Sequence, residues 1–253
     1  MATNGKPHTA PRPGALHVAF VLDESGSMER LARAVVTGFD EFVDELREDG
    51  GETLLTLTTF DTEFRHLHLA TPLDQVSSLA DTGYRPGGMT ALFDAVAHAI
   101  LDTDRRLTEQ GCAHEKVMLV VMTDGLENSS TDYTAERLSR LVASYDARPN
   151  WTFVYLGAAH DTLEDARDLA DRLAFKRANA MRWTPDAASA HRSMRSLATA
   201  ARHRRADLAM KSEQLFADAG QSESDYLADD ATGEPDPPMS RRPFGDMLGR
   251  SER

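Results

Sequence analysis

The sequence predicts an α/β fold: a doubly wound, mainly parallel central sheet with helices on both faces and one antiparallel edge strand. Strand patterns and helix patterns alternate from residue 15 to about residue 205. Several strand patterns are almost wholly apolar, which is typical of parallel strands covered on both faces. One pair of strand patterns is separated only by residues 61–63. A parallel crossover needs a dozen residues or more, so this pair is predicted to be an antiparallel hairpin.

The first half of the chain shows three strand patterns and one helix pattern. The strands are predicted over Leu16–Leu22, Leu54–Phe60 and Phe64–Leu69, and the helix over Glu29–Arg47. Apolar residues in that helix recur at the 3.6-residue period. The pair Gly50-Gly51 ends it, because glycine disfavours continuation of a helix.

The second half alternates helix and strand more regularly. Helices are predicted over Ala91–Thr108, Tyr133–Tyr145, Leu163–Leu173 and Thr184–Arg205, and strands over Val117–Met122 and Trp151–Leu156, with a weak short strand near Phe175–Ala178. The last helix begins at Thr184-Pro185-Asp186, where threonine is a favoured N-cap and proline suits the first turn.

Composition supports one globular domain over residues 14–206, with a flexible N-terminus over 1–13 and an acidic, largely disordered tail over 207–253. Hydrophobic residues make up 41% of the 253 residues, which is ample for a core. The stretch 225–238 is rich in acids, prolines and small residues and cannot bury enough surface to fold. The net charge of −13 argues against general affinity for nucleic acid or anionic membranes.

Targeting signals and disulfides are not expected. The single cysteine, Cys112, excludes an intramolecular disulfide. The first 14 residues are polar and contain prolines, unlike a signal peptide. No run of about 18 apolar residues would form a membrane-spanning helix. We therefore expect a cytoplasmic protein.

Five oxygen-bearing side chains follow the ends of predicted strands or precede a predicted helix. They are Asp23, Ser25 and Ser27 in Asp23-Glu24-Ser25-Gly26-Ser27, Thr90 in Gly87-Gly88-Met89-Thr90, and Asp124 in Thr123-Asp124-Gly125. Every second side chain of an extended segment points the same way, so the first three are predicted to converge. In an open parallel sheet, ligands bind at the carboxyl ends of the strands, where strand order reverses.

The chemistry of these five residues favours a hard divalent cation. Two carboxylates repel each other at close range unless a cation lies between them. Two carboxylates and three neutral hydroxyls suit Mg²⁺ or Mn²⁺ and leave the ion with residual positive charge. Each motif alone also fits an ordinary turn. Their combination, in this order, predicts a metal site.

These motifs closely resemble the metal-ion-dependent adhesion site of von Willebrand factor type A domains, over roughly residues 14–200. The flanking segments Val18–Asp23 and Ala91–Ala95 resemble the family as well. The resemblance implies a Rossmann-like fold and a complete site formed by Asp23, Ser25, Ser27, Thr90 and Asp124. It also implies that a partner protein's Asp or Glu fills the remaining position on the ion. The chain looks most similar to stand-alone cytosolic prokaryotic members.

The function predicted on this basis is a metal-dependent protein-binding module, acting as an adaptor or assembly factor and not as an enzyme. Related proteins work beside MoxR-type AAA+ ATPases, kinase–phosphatase systems or tellurite-resistance proteins, and the sequence does not choose among these partners. The alternative is a Mg²⁺-dependent hydrolase or phosphotransferase. A dehalogenase-like phosphatase needs a second Asp two residues after the first, where this chain has Ser25.

Several other residues allow two interpretations. Glu24 and Asp94 either tune the ion's surroundings or are a solvated loop acid and a first-turn helix acid. His66 and His68 are predicted to share one face of a strand, as a metal pair or, more simply, as surface histidines. Arginines make the last helix basic, and they suit nucleic acid, an acidic partner, the chain's own tail or, more simply, solvent. They are Arg192, Arg195, Arg202, Arg204 and Arg205.

Overall fold

In the part of the chain that the structure describes, six strands form one sheet in the order β3-β2-β1-β4-β5-β6. They are β1 (Leu16–Asp23), β2 (Thr53–Phe60), β3 (Phe64–Pro72), β4 (Lys116–Thr123), β5 (Trp151–Ala158) and β6 (Ala180–Trp183). All neighbouring pairs are parallel except β2 and β3. The structure is a computed structural model that describes residues 15–124, 127–158, 168, 170–176, 179–183 and 187–206. The predicted fold class, including its antiparallel edge, is confirmed.

Four α-helices are described in full: α1 (Ala32–Glu48), α2 (Leu92–Glu109), α3 (Ala135–Asp146) and α4 (Ala187–Ala206). Short 3₁₀ helices cover Gly26–Leu31, Leu73–Gln75 and Leu79–Thr82. Of the helix predicted over Leu163–Leu173, residues 168 and 170–172 are helical and the earlier part lies outside the described residues. The predicted cap at 184–186 and the two terminal segments, 1–13 and 207–253, also lie outside them. Within the described residues, no helix is both long and apolar enough to cross a membrane.

The sheet buries both of its faces. Alternate residues of β1 belong to different clusters: Phe20 packs with α1 and α4, while Val21 packs with α2 and α3. The Phe20 ring lies 5.5 Å from the ring of Phe39 and 5.8 Å from that of Phe42 on α1. Burial on two sides explains why β1 is apolar at nearly every position.

The weak short strand predicted near Phe175–Ala178 exists but lies a few residues later in the chain. Residues 177 and 178 lie outside the described residues. The sixth strand lies at Ala180–Trp183, and Phe175 is a buried residue outside any strand. Its ring packs 5.4 Å from that of Phe153 on β5. The apolar character that indicated a strand therefore comes from packing on the sheet face and not from pairing at its edge.

The arginines of α4 pair largely within the domain. Arg195 and Arg202 each lie 3.4 Å from Glu45 on α1. Arg205 pairs with Asp49, just after α1. The guanidinium of Arg204 is buried and donates to the carbonyl of Pro149 at 2.7 Å. These contacts make the basic helix part of the domain's own packing.

Candidate metal centre

The site lies where the order of the strands reverses. The chain passes from β1 to β2 on one side and later returns through β4 on the other side. The register pairs Leu22 with Met122, so both strands reach the same edge of the sheet together. The Thr123 hydroxyl donates to Asp23 Oδ2 at 2.6 Å. Asp23 and Asp124, which follow these paired positions, are thereby brought to adjacent loops.

Asp23 is fully buried and both of its carboxylate oxygens are hydrogen-bonded. The backbone N–H of Ser25 donates to Oδ1 at 2.7 Å, and Thr123 donates to Oδ2. The pKa of Asp23 is raised from 3.8 to about 6, mainly by burial and to a smaller extent by the charge of Asp124, against the lowering effect of the Ser25 and Thr123 hydrogen bonds. The buried carboxylate is costly as an anion unless a positive charge is near.

Ser25 and Ser27 converge as predicted. Their hydroxyl oxygens lie 3.1 Å apart. Ser25 is buried, whereas Ser27 is exposed at the start of the 3₁₀ helix that begins at Gly26. The Ser25 oxygen is deep and the Ser27 oxygen is at the surface. Their separation is suitable for neighbouring ligands of one cation.

Thr90 is buried on a loop that touches the serine loop. The N–H of Gly26 donates to the carbonyl of Gly88 at 3.2 Å. Gly88 has φ +75°, and a Cβ there would lie 2.9 Å from Asp61 Oδ2, so the position requires glycine. The N–H of Thr90 donates to Asn128 Oδ1 at 2.9 Å, which fixes the threonine beside the loop after β4.

Asp124 supplies the observation that best fits a cation. Its Oδ1 atom is buried, and no described protein atom donates a hydrogen bond to it. An unpartnered buried carboxylate oxygen is costly, and a bound cation removes that cost. The described residues contain no group of three His, Cys, Asp or Glu able to hold a metal. An ion at this edge would need further oxygen ligands, for which the hydroxyls of Ser25, Ser27 and Thr90 are the candidates.

Two buried tyrosines lie in the field of these acids. Tyr84 donates its hydroxyl to the carbonyl of Asp23 at 2.9 Å. Burial raises the pKa of both Tyr84 and Tyr155, and the charges of Asp23 and Asp124 raise it further. Both phenols stay protonated at neutral pH, so they add no negative charge to the site.

The loop after β4 is held by residues that the sequence analysis missed. Glu127 accepts the N–H groups of Ser129 and Ser130 at 2.9 and 2.7 Å, and that of Phe93 at 3.0 Å. The loop is thereby fastened to the first turn of α2. An acid followed by a run of small polar residues after a strand is the signal that could have indicated such a turn.

Asp94 completes this attachment from the side of the helix. Its carboxylate accepts N–H groups from Thr131, Asp132 and Tyr133, at 2.7, 3.1 and 2.7 Å in the shortest contacts. Three backbone donors make this acid a fastening point for the loop that carries Asn128, the residue bonded to Thr90. Of the two interpretations of Asp94, these contacts fit the one in which it organises the surroundings of the proposed ion.

Glu24 is not a solvated loop acid. Its residue is 7% exposed, and its carboxylate accepts both a guanidinium nitrogen of Arg65 and the N–H of Arg85. Glu24 is therefore a buried acid whose charge is paired, beside the candidate ligands, with the half-exposed guanidinium of Arg65.

The prediction that His66 and His68 share one face is wrong. The β2–β3 ladder shifts register between Leu57 and Thr58, so that His68 pairs with Leu57 and His66 with Thr58. Those neighbours point to opposite faces of β2, and a β-bulge of this kind changes the alternation. His66 contacts Thr58 at 2.9 Å, while His68 contacts Ser77 at 3.2 Å. The two rings cannot hold one ion.

Comparison with known proteins decides the family. The family model described as von Willebrand factor type A domain matches residues 17–182. The chain belongs to the von Willebrand factor type A family. A comparison with curated proteins gave no match.

Solved structures of this type share the fold. A von Willebrand factor type A protein from Catenulispora acidiphila is 18% identical, with a TM-score of 0.50, over 73% of this chain and 42% of that chain. The PilB minor pilin from Streptococcus sanguinis is 12% identical, with a TM-score of 0.55, over 76% and 62%. Proximal thread matrix protein 1 from the mussel byssus, with a zinc-occupied MIDAS motif, is 18% identical, with a TM-score of 0.53, over 73% and 45%. The chain thus spans less than two thirds of these three proteins.

Proposed function

We propose that the domain is a metal-dependent protein-binding module that captures an acidic side chain of a partner protein. The family is typically one of adhesion and protein binding, which supports the general class. In our proposal Asp23, Ser25, Ser27, Thr90 and Asp124 hold Mg²⁺ or Mn²⁺. The observation that carries this proposal is the buried Oδ1 of Asp124, which has no hydrogen-bond partner among the described residues and lies close enough to the buried carboxylate of Asp23 to raise the pKa of that acid.

The donor set supports capture of a carboxylate. A bound Mg²⁺ would supply an electrophilic centre that is only partly neutralised by two carboxylates. Ser25, Ser27 and Thr90 contribute oxygens without further negative charge. Asp23 and Asp124 balance the ion's charge while leaving attraction for another anion.

The surface around the site suits close approach by a partner. The loops at Gly26 and Gly88 are in contact and carry no side chains there. Met89, next to Thr90, is 54% exposed and is one of three large hydrophobic residues exposed among those described. We propose that an apolar residue near the partner's acid packs against Met89, because methionine adapts to varied apolar surfaces.

We assign the site no catalytic step. Ser25 occupies the position where a phosphatase of the haloacid dehalogenase type would need a second Asp. The hydrolase or phosphotransferase alternative predicts Mg²⁺-dependent release of phosphate from generic phosphate esters, abolished by Asp23→Ala. Under our proposal, no turnover is observed in either protein.

Metal binding and carboxylate capture are tested together with Mn²⁺ as the probe. We expect the wild type to bind one Mn²⁺, detected by relaxation of water protons, and acetate to reduce the relaxation by displacing water from the ion. Asp23→Ala should bind no Mn²⁺ at that site. Asp102→Ala, which removes an acid from the middle of α2, is the matched control and should behave as wild type. Equal Mn²⁺ binding by Asp23→Ala would refute the proposal.

Partner capture is tested by affinity isolation. We expect a protein partner retained by the immobilised wild type in Mg²⁺ to be released by EDTA and absent from the Asp23→Ala column. An adaptor role beside a MoxR-type AAA+ ATPase or a kinase–phosphatase system predicts such proteins among those released. Retention that is indifferent to EDTA would place partner binding elsewhere on the domain.

A further inference from the structure

Glu24 lies between two candidate metal ligands in the sequence, but its side chain points away from them. It follows Asp23 and precedes Ser25. The N–H of Ser25 donates to Asp23, and the Ser25 hydroxyl meets that of Ser27, so those side chains face the site. The side chain of Glu24 instead packs towards β3 and the loop before Gly87, where it is 9% exposed.

Arg65 on β3 balances the charge of this acid. A single guanidinium nitrogen of Arg65 lies 3.0 Å from Glu24 Oε1 and 2.9 Å from Oε2. The N–H of Arg85 adds a donor to Oε1 at 2.6 Å. Charge-assisted contacts of this kind neutralise a buried carboxylate that would otherwise be strongly disfavoured.

Backbone hydrogen bonds that do not involve Arg65 also join these loops. The N–H of Glu24 donates to the carbonyl of Phe60 at 2.7 Å, and the N–H of Gly87 donates to the carbonyl of Glu24 at 2.8 Å. Gly26 is bonded to Gly88 in the same way. Backbone contacts thus already join β1, β2 and the glycine loop, which leaves the charge of Arg65 as its distinct contribution.

We infer that Arg65 is a positioning residue of the metal site, which neutralises Glu24 and so keeps a bound cation receptive to a partner's carboxylate. The inference rests on the proposed function. A third unbalanced carboxylate one residue from Asp23 would bind the cation more tightly and repel an incoming acid. The Arg65–Glu24 pair therefore lowers the affinity of the site for the cation and raises the affinity of the bound cation for a partner's carboxylate.

The inference predicts opposite effects from removing either charge. In Arg65→Gln the charge of Glu24 is unbalanced, so Mn²⁺ should bind about three- to tenfold more tightly and acetate correspondingly more weakly. In Glu24→Gln the charge of Arg65 is unbalanced, while the amide oxygen can still accept from Arg85. Mn²⁺ should then bind more weakly and acetate more tightly. The double variant should lie near the wild type.

The experiment uses the full chain, with Mn²⁺ titration and acetate titration followed by water-proton relaxation. Arg105→Gln is the matched control, because Arg105 is an exposed arginine that pairs with Asp102 far along α2. It should change neither affinity. Thermal unfolding in EDTA shows whether each variant is folded.

The outcomes separate the two proposals. Opposite shifts of Mn²⁺ affinity in the two single variants support the charge-balancing role of Arg65. Losses of Mn²⁺ affinity in both variants, or no change in either, overturn it in favour of a purely structural contact. If acetate fails to bind the Mn²⁺-loaded wild type, the proposed carboxylate capture fails, while the Mn²⁺ shifts still decide the role of Arg65.

Discussion

The two ends of β1 and β4 bury polar groups in opposite ways. At the amino ends, His17 Nε2 lies 2.9 Å from Glu115 Oε2, and both side chains are buried. At the carboxyl ends, Asp23 and Asp124 are both acids, and Asp124 Oδ1 has no protein donor among the described residues. The amino end pairs a donor with an acceptor, whereas the carboxyl end brings two acceptors together. The first arrangement stabilises the fold, whereas the second leaves negative charge that the proposed cation would balance.

The amino end is balanced by further contacts. The Lys116 ammonium donates to the carbonyl of Arg205 at the end of α4, and Arg205 also pairs with Asp49. Burial, and secondarily the charge of Arg106, lowers the pKa of His17 to about 4, so the ring is neutral at pH 7 and can donate to Glu115. The Nδ1 atom of His17 has no described partner. A neutral ring nitrogen is less costly to leave unpaired than a carboxylate oxygen.

The largest expected effect is loss of metal binding in Asp124→Asn. Replacing one of two charged ligands should reduce Mn²⁺ affinity more than about a thousandfold, since even residues that only support ligands cost 10- to 100-fold. The same change removes repulsion with Asp23, so the variant should unfold in EDTA at a temperature equal to or above that of wild type. Calorimetric titration and thermal unfolding measure the two effects. Unchanged Mn²⁺ affinity would contradict the proposal that the two acids at the carboxyl ends of β1 and β4 bind a cation.

The next effect is a pH dependence confined to the metal-free protein. Asp23 has a pKa raised from 3.8 to about 6, so the folded state binds more protons than the unfolded state between these values. In EDTA, the contribution of Asp23 to the free energy of unfolding should therefore be greatest below pH 3.8. It should fall by about 3 kcal/mol as pH rises past 6.

Mg²⁺ should reverse that trend. Protons and the cation compete for Asp23, so the stabilisation by Mg²⁺ should be largest above pH 7 and decline as pH falls through 6. Urea unfolding at several pH values, with EDTA or with Mg²⁺, gives both curves. Asp23→Asn is the control and should flatten the difference between them. Stabilisation by Mg²⁺ that is equal at pH 5 and pH 8 would exclude Asp23 as the ligand.

A smaller effect is expected at the amino end. Glu115→Ala leaves the buried ring of His17 without its acceptor and should reduce the free energy of unfolding by about 1–3 kcal/mol. Mn²⁺ affinity should not change, because the pair lies at the opposite edge of the sheet from Asp23. Urea unfolding tests the expected loss of stability, and Mn²⁺ titration of the same preparation tests the unchanged metal affinity. A joint loss of stability and metal affinity would show that the two ends are coupled.

Features of the fold and of the site that depend on local sequence could be predicted, whereas those that depend on distant contacts could not. The fold class followed from apolar runs and from the short spacing before Phe64, which are local features. Convergence of Ser25 with Ser27 followed from alternation along an extended segment. The opposite facing of His66 and His68 could not be predicted, because the bulge depends on pairing with β2. The contacts of Glu127 with Phe93 and of Asn128 with Thr90 could not be predicted either, since these partners lie more than 30 residues away.

The smallest effect should come from the acid that supports the site without joining it. Asp94→Ala removes the acceptor for three N–H groups of residues 131–133 and loosens the loop that carries Asn128. We expect about a tenfold loss of Mn²⁺ affinity or less, together with faster amide exchange at 131–133. Asp94→Asn keeps one acceptor oxygen and should show an intermediate effect. Asp102→Ala removes a similar helix acid away from that loop and should change neither quantity. Faster exchange with full metal affinity would show that Thr90 is positioned by its own glycine loop alone, and would restrict the functional end of the sheet to the five oxygen-bearing residues.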